Sequence, residues 1–364
     1  MSYGVPSRLN FGEFTIMSKQ GVQQGDPLGS LLFAIAIHDS IMAVHSLHGV
    51  VWSGWFADDG TIQAPLPVFE YALTTLSTSL AAHNITINFA KTKIVTQDPR
   101  SVDFYDTLRG LVRVPLANGF PLLGGHIPGS TLPSFLTARL EEFRLLCSKI
   151  GQLPEAHIAF TLLRSCTYAC RVNHILRMIP PSCLVTWNAN LTAILRSTVS
   201  KLIDGHISER AWIQCIQPIK LGGLGLFDPT HISHGAFIAS SLMALKFWNE
   251  NKMAEHFHLS HTFQSLAELG THLGSTSEAC LALAHSHDII NYMALEPQSL
   301  QQHWWVHMKV VKLYSAANLI SSERDKLRQK LLSAEHAGDW LLHIPGRQLG
   351  TLLPSSVVGH SLQF

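Results

Sequence analysis

Val50-Val51-Trp52-Ser53-Gly54-Trp55-Phe56-Ala57-Asp58-Asp59-Gly60-Thr61-Ile62-Gln63-Ala64 is the stretch that decides how this chain reads. Its first eight residues are rich in β-branched and aromatic types and read as a strand; Thr61 opens a return strand. An Asp-Gly pair between two such runs marks a hairpin turn, so the tip is expected at Asp58-Asp59-Gly60. Pro65 and Pro67 stop the second strand. Adjacent carboxylates at a tip repel each other unless solvent or a cation relieves them. A divalent ion that prefers hard oxygen ligands, such as Mg²⁺, does so. The plainer alternative is a solvated Asp-Asp-Gly turn, and the tripeptide alone does not choose between them.

Outward from this hairpin, residues 7–20 alternate around a glycine and suit a further β-hairpin. A Gly/Pro-punctuated loop over 21–27 precedes a helix over about 30–47. Downstream, a helix over about 68–83 leads to strands near 85–89 and 92–96. After a Gly/Pro-rich segment at 118–133 the pattern turns helical. Leu136, Leu140, Phe143, Leu146 and Cys147 make one apolar stripe. Residues 158–178 read as one long helix ended by Pro180-Pro181, and about 184–202 as another. A turn-rich patch, Leu221-Gly222-Gly223-Leu224-Gly225-Leu226, leads into a mostly helical remainder from about 230. The fold class expected is α+β over residues 1–130 and all-α beyond.

Composition leaves function open. The 364 residues, 46% of them hydrophobic, suffice for about two or three domains with real cores. A net charge of +1 with 14% charged residues neither demands nor excludes nucleic acid, since a polymerase needs only a basic cleft. Cys147, Cys166, Cys170, Cys183, Cys215 and Cys280 are scattered without a C-x-x-C pair, which reads as reduced thiols in an intracellular protein, nuclear or cytoplasmic. Residues 1–10 lack a signal-peptide core. The apolar run 28–44 is interrupted by Ser30, His38, Asp39 and Ser40 and reads as a buried amphipathic helix, not a membrane span. The 21 histidines are dispersed.

Four elements in one order carry a family resemblance. Gly21-Val22-Gln23-Gln24-Gly25-Asp26-Pro27-Leu28-Gly29-Ser30-Leu31-Leu32-Phe33 resembles the Q-G-x-P-L-x-x-x-L-F box of reverse transcriptases. Phe56-Ala57-Asp58-Asp59 resembles their aromatic-A-D-D box, and Asn88-Phe89-Ala90-Lys91-Thr92 their N-x-x-K-T element. Leu122-Leu123-Gly124 is similar to the aromatic-L-G hairpin that grips the primer. Further along, Leu162-Leu163-Arg164-Ser165-Cys166 through Arg177-Met178-Ile179-Pro180-Pro181 resembles the helix after the palm in non-LTR retrotransposon enzymes. Pro218-Ile219-Lys220-Leu221-Gly222-Gly223-Leu224-Gly225-Leu226 is similar to their G-G-L-G-L segment. His336-Ala337-Gly338-Asp339-Trp340-Leu341 with Ile344-Pro345 resembles an A-x-x-W-L-x-x-x-P stretch, so the likeness spans nearly the whole chain.

The resemblance implies a partial polymerase palm over residues 1–130, a helical thumb-like domain over 131–230 and a helical C-terminal extension over 231–364. It implies an RNA-directed DNA polymerase acting on an RNA template and a DNA primer through two Mg²⁺ ions held by Asp58 and Asp59, with Asp58 the direct ligand. Gln24, Gly25, Pro27 and Phe56 would meet the incoming nucleotide and the template base. The plainer reading of Gly25-Asp26-Pro27 is a helix-start turn. Lys91 would act on the triphosphate or donate a proton; otherwise it is a surface lysine. Leu122, Leu123 and Gly124 would grip the primer. Arg164, Tyr168 and Arg171 fall at i, i+4 and i+7 of the long helix and would line one face against the nucleic-acid backbone. Ten Lys/Arg against five Asp/Glu over 131–220 suit such contact, although an ordinary solvated helix face has the same look. Cys166, Cys170 and His174 also share four-residue spacing, as a zinc site or, more plainly, as core packing.

The pattern is also broken. Reverse transcriptases carry a third carboxylate on a strand several dozen residues before the Q-G box, and here Met1 lies only about twenty residues before it. Glu13, Asp26 and Asp39 do not stand on such a strand, and the fingers are missing, so the chain alone is expected not to polymerise DNA. Gly29-Ser30 replaces the commoner Ser-Pro; Phe56 stands where tyrosine is frequent, and Leu122 where an aromatic is usual. No endonuclease or ribonuclease H region is recognisable. The sheet, lacking one strand, is expected to expose an edge. The alternative function is that of a non-catalytic nucleic-acid-binding remnant of a retroelement.

Overall fold

Among the described residues strands pair only two by two, and helices supply most of the buried positions. The computed structural model describes residues 6–18, 21, 26–167, 171–250 and 260–273, with the isolated positions 323, 327, 330, 331 and 334. Gln24, Gly25, Tyr168, Cys170 and the C-terminal A-x-x-W-L stretch lie outside the described residues. The chain divides into two units, residues 1–118 and 119–364. The whole is a mixed arrangement of helices and small sheets, with helix predominating.

In the first unit, β1 (Ser7–Phe11) and β2 (Phe14–Ser18) form the expected first hairpin, closed by Gly12 at a φ of 60°. α1 (Gly29–His45) starts from Asp26, whose carboxylate accepts the Leu28 N–H at 2.8 Å. That contact is the helix-start turn of the plainer reading. β3 (Trp52–Phe56) and β4 (Asp59–Gln63) form the central ribbon, and α2 (Leu66–Ala81) follows with Pro67 in its first turn. Ile37 and Val44 of α1 meet Ala72, Leu76 and Leu80 of α2, with Trp55 and Ile62 of the ribbon packed against them. Ser40 and Ser79 share a 2.8 Å hydrogen bond between the two helices, and His45 Nδ1 meets the Ser53 hydroxyl at 3.1 Å. Beside that stripe, Leu73 of α2 joins a second cluster with Ile94, Val102, Leu108 and Leu111.

Two expectations fail here. Residues 85–89 are not a strand: Asn84 turns the chain at a φ of 56°, and Ile85 and Ile87 tuck against the helix core without a ladder partner. The palm that the resemblance implies has an antiparallel sheet with packing helices; antiparallel pairs are present, but among the described residues they remain separate two-stranded hairpins. β5 (Lys93–Thr96) pairs in parallel with β6 (Val112–Pro115) across two short 3₁₀ turns, so neither strand joins the ribbon. As a result β3 and β4 each keep an outer edge with no strand partner among the described residues.

The second unit opens with a three-residue-per-strand hairpin, β7 (Phe120–Leu122) and β8 (Gly125–Ile127). It packs on α3 (Leu132–Ile150) and α5 (Asn173–Met178), so the division falls at residue 118, ahead of the boundary near 130 read from the sequence. α3 buries Leu132, Leu136, Leu140, Phe143, Cys147 and Ile150 at three- and four-residue spacing, the period of a helix with one core face. α4 (Ala156–Cys166), α6 (Val185–Leu202) and α7 (Glu209–Cys215) close the core, and the Trp187 indole locks α6 to α3 by donating to the Leu136 carbonyl at 3.0 Å. The long helix expected over 158–178 is two helices, α4 and α5. Thr167 lies fully buried at the break, and its hydroxyl turns back to the Leu163 carbonyl.

α8 (Pro229–Glu250) packs on α5 and α6, and α9 (Ser260–Leu273) on α8, so the helical packing runs across position 230. No helix among the described residues is long and apolar enough to cross a membrane. α8 begins at Asp228, 2% exposed, whose carboxylate accepts from the Trp212 indole (2.6 Å), the Thr192 hydroxyl (2.7 Å), and the Thr230 amide (3.0 Å) and hydroxyl (2.6 Å). Removing that acceptor strands a buried indole N–H and two hydroxyls. Asp228→Ala is therefore expected to destabilise the protein by about 3 kcal/mol or more, read as a lower urea midpoint. A midpoint within experimental error of the parent would refute the hub.

Candidate functional site

The carboxylate pair sits on the ribbon one residue off from the expected turn. Phe56 pairs with Asp59 and Trp55 with Gly60, so the two-residue tip is Ala57-Asp58 and not Asp58-Asp59-Gly60. The Asp-Gly signal is overridden because both tryptophans need room: a Cβ on Gly60 would lie 2.3 Å from the Trp55 ring, and one on Gly54 2.2 Å from that of Trp52. Those glycines serve the strands. Ser53, Trp55 and Ile62 face α1 and α2, which leaves Phe56 and Asp59 on the opposite face of the ribbon.

Phe56 is 70% exposed, and both Asp58 and Asp59 are exposed with no cation bonded to them among the described residues. Ala57, first residue of the tip, has a φ of 52° while Asp58 does not share the positive sign. That is the pattern of a turn which ordinarily takes Gly first. An L-residue there costs roughly 1–2 kcal/mol.

A Mg²⁺ ion takes one or two carboxylates and completes its shell with water and phosphate oxygens. Two exposed, adjacent carboxylates at a narrow tip fit that requirement as a weak, open site. Among the described residues no group of three His, Cys, Asp or Glu is placed to hold a metal ion. Elsewhere in this unit Lys91 is exposed on a turn built by Asn88, whose side chain accepts the Lys91 amide at 3.2 Å and whose carbonyl accepts Thr92. The N-x-x-K-T element is thus a self-bonded turn that leaves the lysine side chain in solvent. Pro27 is exposed beside the start of α1.

In the second unit, Leu122-Leu123-Gly124 forms the hairpin tip that its resemblance implies. Leu123 and Gly124 have φ values of 46° and 80°, the two positive angles of a type I′ turn. Leu123 is 48% exposed. Arg164 and Arg171 do not share one helix, because α4 ends at Cys166 and α5 begins at Asn173; Tyr168, expected between them on one face, lies outside the described residues. Arg164 is half-buried, and burial lowers its guanidinium pKa; the aliphatic part of its side chain approaches Gly225. Arg171 is exposed and lies 3.9 Å from Glu142.

The basic excess of this unit is partly spent internally as well. Arg139 pairs with Glu142, Arg144 with Glu141, and Arg196 with Glu209 at 2.5 Å while standing over the Trp212 ring. Lys149, Lys201 and Lys220 remain exposed without an acidic partner among the described residues. His174 bonds to the Leu123 carbonyl, which favours neither reading of the Cys166, Cys170, His174 spacing as a zinc site.

Sequence reasoning passed over Asp228, and it weighed His174 only for its spacing from Cys166 and Cys170, not as a partner of the Leu123 hairpin. Asp228-Pro229-Thr230 is a helix-start signature, an acceptor followed by proline at the first helical position, and was there to be read. His174 carried no such local signal, because its partner is 51 residues away. No family model matches the chain, and no curated protein matches it.

Ala57→Gly is expected to raise the stability of the protein by about 0.5–1 kcal/mol, the relieved turn strain less the entropy of glycine, in a denaturant titration. A loss of stability would show that the turn is not strained. Burial pushes the Cys147 and Cys215 thiols up to about 12, with Thr198 opposing the shift at Cys147. An unfolded chain releases these protons near pH 9 and the folded one keeps them. Stability is therefore complete below about pH 9 and falls as pH rises towards 12. Cys147→Ser with Cys215→Ser should flatten that alkaline decline; an unchanged slope would exclude these thiols as its source.

Proposed function

We propose that this chain is part of a reverse transcriptase of the non-LTR retrotransposon type, and that its first unit carries two of the carboxylates of the nucleotidyl-transfer site. The observation that carries the reading is the Phe56-Ala57-Asp58-Asp59 hairpin. A strained two-residue tip holds adjacent carboxylates in solvent, on a ribbon whose other face is fixed by α1 and α2. Strain of this kind gathers at functional turns. The order of the Q-G, A-D-D, N-x-x-K-T and L-G elements supplies the family; the geometry supplies a reason for each tip to be exposed.

Asp58, in the turn itself, is assigned the direct metal contact, with Asp59 supporting it from the first position of β4. Mg²⁺ held there would lower the pKa of a primer 3′-hydroxyl and neutralise charge on the leaving pyrophosphate. Phe56 offers an aromatic face beside the carboxylates. Lys91 offers a cation, without an acidic partner among the described residues, to a triphosphate. Gln24 and Gly25 keep the nucleotide-binding role that the resemblance implies. The exposed lysines of the helical unit, Lys149, Lys201 and Lys220, favour a second reading in which the chain binds an RNA–DNA duplex without catalysing synthesis.

Three measurements test these readings on the full chain. Terbium(III), a luminescent stand-in for hard divalent cations, should bind near the tip with emission sensitised by Trp55. Mg²⁺ should compete it off, and Asp58→Ala should abolish the signal. Persistence of the signal in that variant would refute the metal assignment. A labelled RNA–DNA hybrid should bind at low salt, with affinity dropping about 40-fold between 50 and 200 mM if three phosphates are engaged. Absence of binding at low salt would refute both readings. Primer extension that depends on Asp58 separates them in favour of the enzyme.

A further inference from the structure

The Leu122–Gly124 hairpin is held at its tip by a side chain from the helical core. His174, in the first turn of α5, donates a ring N–H to the Leu123 carbonyl at 2.9 Å. The contact reaches the one non-glycine residue of this turn, at a φ of 46°, where Asn or Gly is the usual occupant. The base of the hairpin is fixed separately. His126 is 3% exposed, bonds to the Thr131 hydroxyl at 3.0 Å and lies against the Phe135 ring. α5 lies so close to β8 that a Cβ on Gly125 would fall 2.1 Å from the Met178 sulfur. α5 is itself braced: Ile175 and Leu176 are buried, and α8 packs along it.

We propose that His174 is a positioning residue, which clamps the strained tip and so fixes Leu123 as an exposed contact for a nucleic-acid strand. The proposal rests on the reading of the preceding section for the identity of that strand. The clamp itself rests on geometry alone. A two-residue turn with leucine at its first position leaves its preferred conformation unless something outside the hairpin holds it. Among the described residues the Leu123 carbonyl has one side-chain partner, His174. A carbonyl can only accept, so the ring nitrogen facing it carries the proton.

Amide hydrogen exchange across residues 119–128 reads the clamp directly, and hybrid affinity reads its consequence. His174→Ala should speed exchange in the hairpin and weaken hybrid binding, each by about five- to tenfold, with the thermal midpoint close to that of the parent. His174→Gln, which keeps a donor at similar reach, should recover most of both. Leu123→Asn, a residue at home in this turn, should make exchange insensitive to His174→Ala. Unchanged exchange in His174→Ala overturns the clamp. Faster exchange with unchanged hybrid affinity overturns the positioning role. A parent chain that binds no hybrid overturns the functional reading and that role with it, while the exchange data still decide the clamp.

Discussion

The helical unit depends on one buried carboxylate. Asp228 accepts four hydrogen bonds, from α6 through Thr192, from α7 through Trp212 and from the first turn of α8 through Thr230. A charge taken out of water is tolerated only when its acceptor positions are filled, so these donors fix where three helices meet. The chain reaches Asp228 only through the tight return after α7. Gly222 caps a 3₁₀ turn at a φ of 80°, and Gly223 passes so near the Gln217 carbonyl that a Cβ would come within 2.1 Å of it. Arg196 completes the junction by spanning Glu209, the Ile207 carbonyl and the Trp212 ring. From there the dependence runs outward: α8 braces α5, and α5 carries His174 to the hairpin tip.

The first unit is built on a different principle. Among the described residues it has no buried charge at its centre; two modest apolar clusters that adjoin along α2 hold it. Its ribbon is narrow, and two strands supply hydrogen bonds only to each other. Apolar side chains remain in solvent as a result, among them Leu31 and Ile35 on α1 and Phe11 and Phe14 on the first hairpin. Such ribbons gain stability from what they lie against rather than from their own ladder. Trp55 and Ile62 provide that for β3 and β4, and this is why the tip can project while its base stays fixed.

What the sequence made legible follows the range of the forces involved. α1, α2 and α6 fall within two residues or so of their expected limits, and α3 forms where its apolar stripe was read, because a helix with one apolar face is specified by neighbours three and four apart. The hairpin at Phe56 was legible from its β-prone runs and Asp-Gly pair, and the one at Leu122 only through the family resemblance. The turn position was not: Asp59-Gly60 looks like a tip until Trp55 is known to fold over Gly60. The long helix over 158–178 was read from an apolar pattern that continues through Thr167, where α4 has already ended and the hydroxyl turns back to the Leu163 carbonyl in a buried setting. Arg164 and Arg171 are thereby parted onto different segments. Strand partnership beyond a hairpin was illegible, since β5 chooses β6 across an intervening excursion that no local pattern announces.

Both tips singled out by their motifs share a feature that plain chain reversal does not require. Ala57 and Leu123 each occupy the first position of a two-residue turn at a positive φ. Gly at the first site, or Asn or Gly at the second, would make the same turn without the strain of roughly 1–2 kcal/mol. Each turn therefore carries a side chain where the backbone would be better off without one, and each side chain is exposed. Packing cannot account for a methyl or an isobutyl group placed in solvent at a cost. A surface that meets something else can, and the coincidence of that strain with the A-D-D and L-G elements is the physical argument for treating these two hairpins as contacts and not as connections.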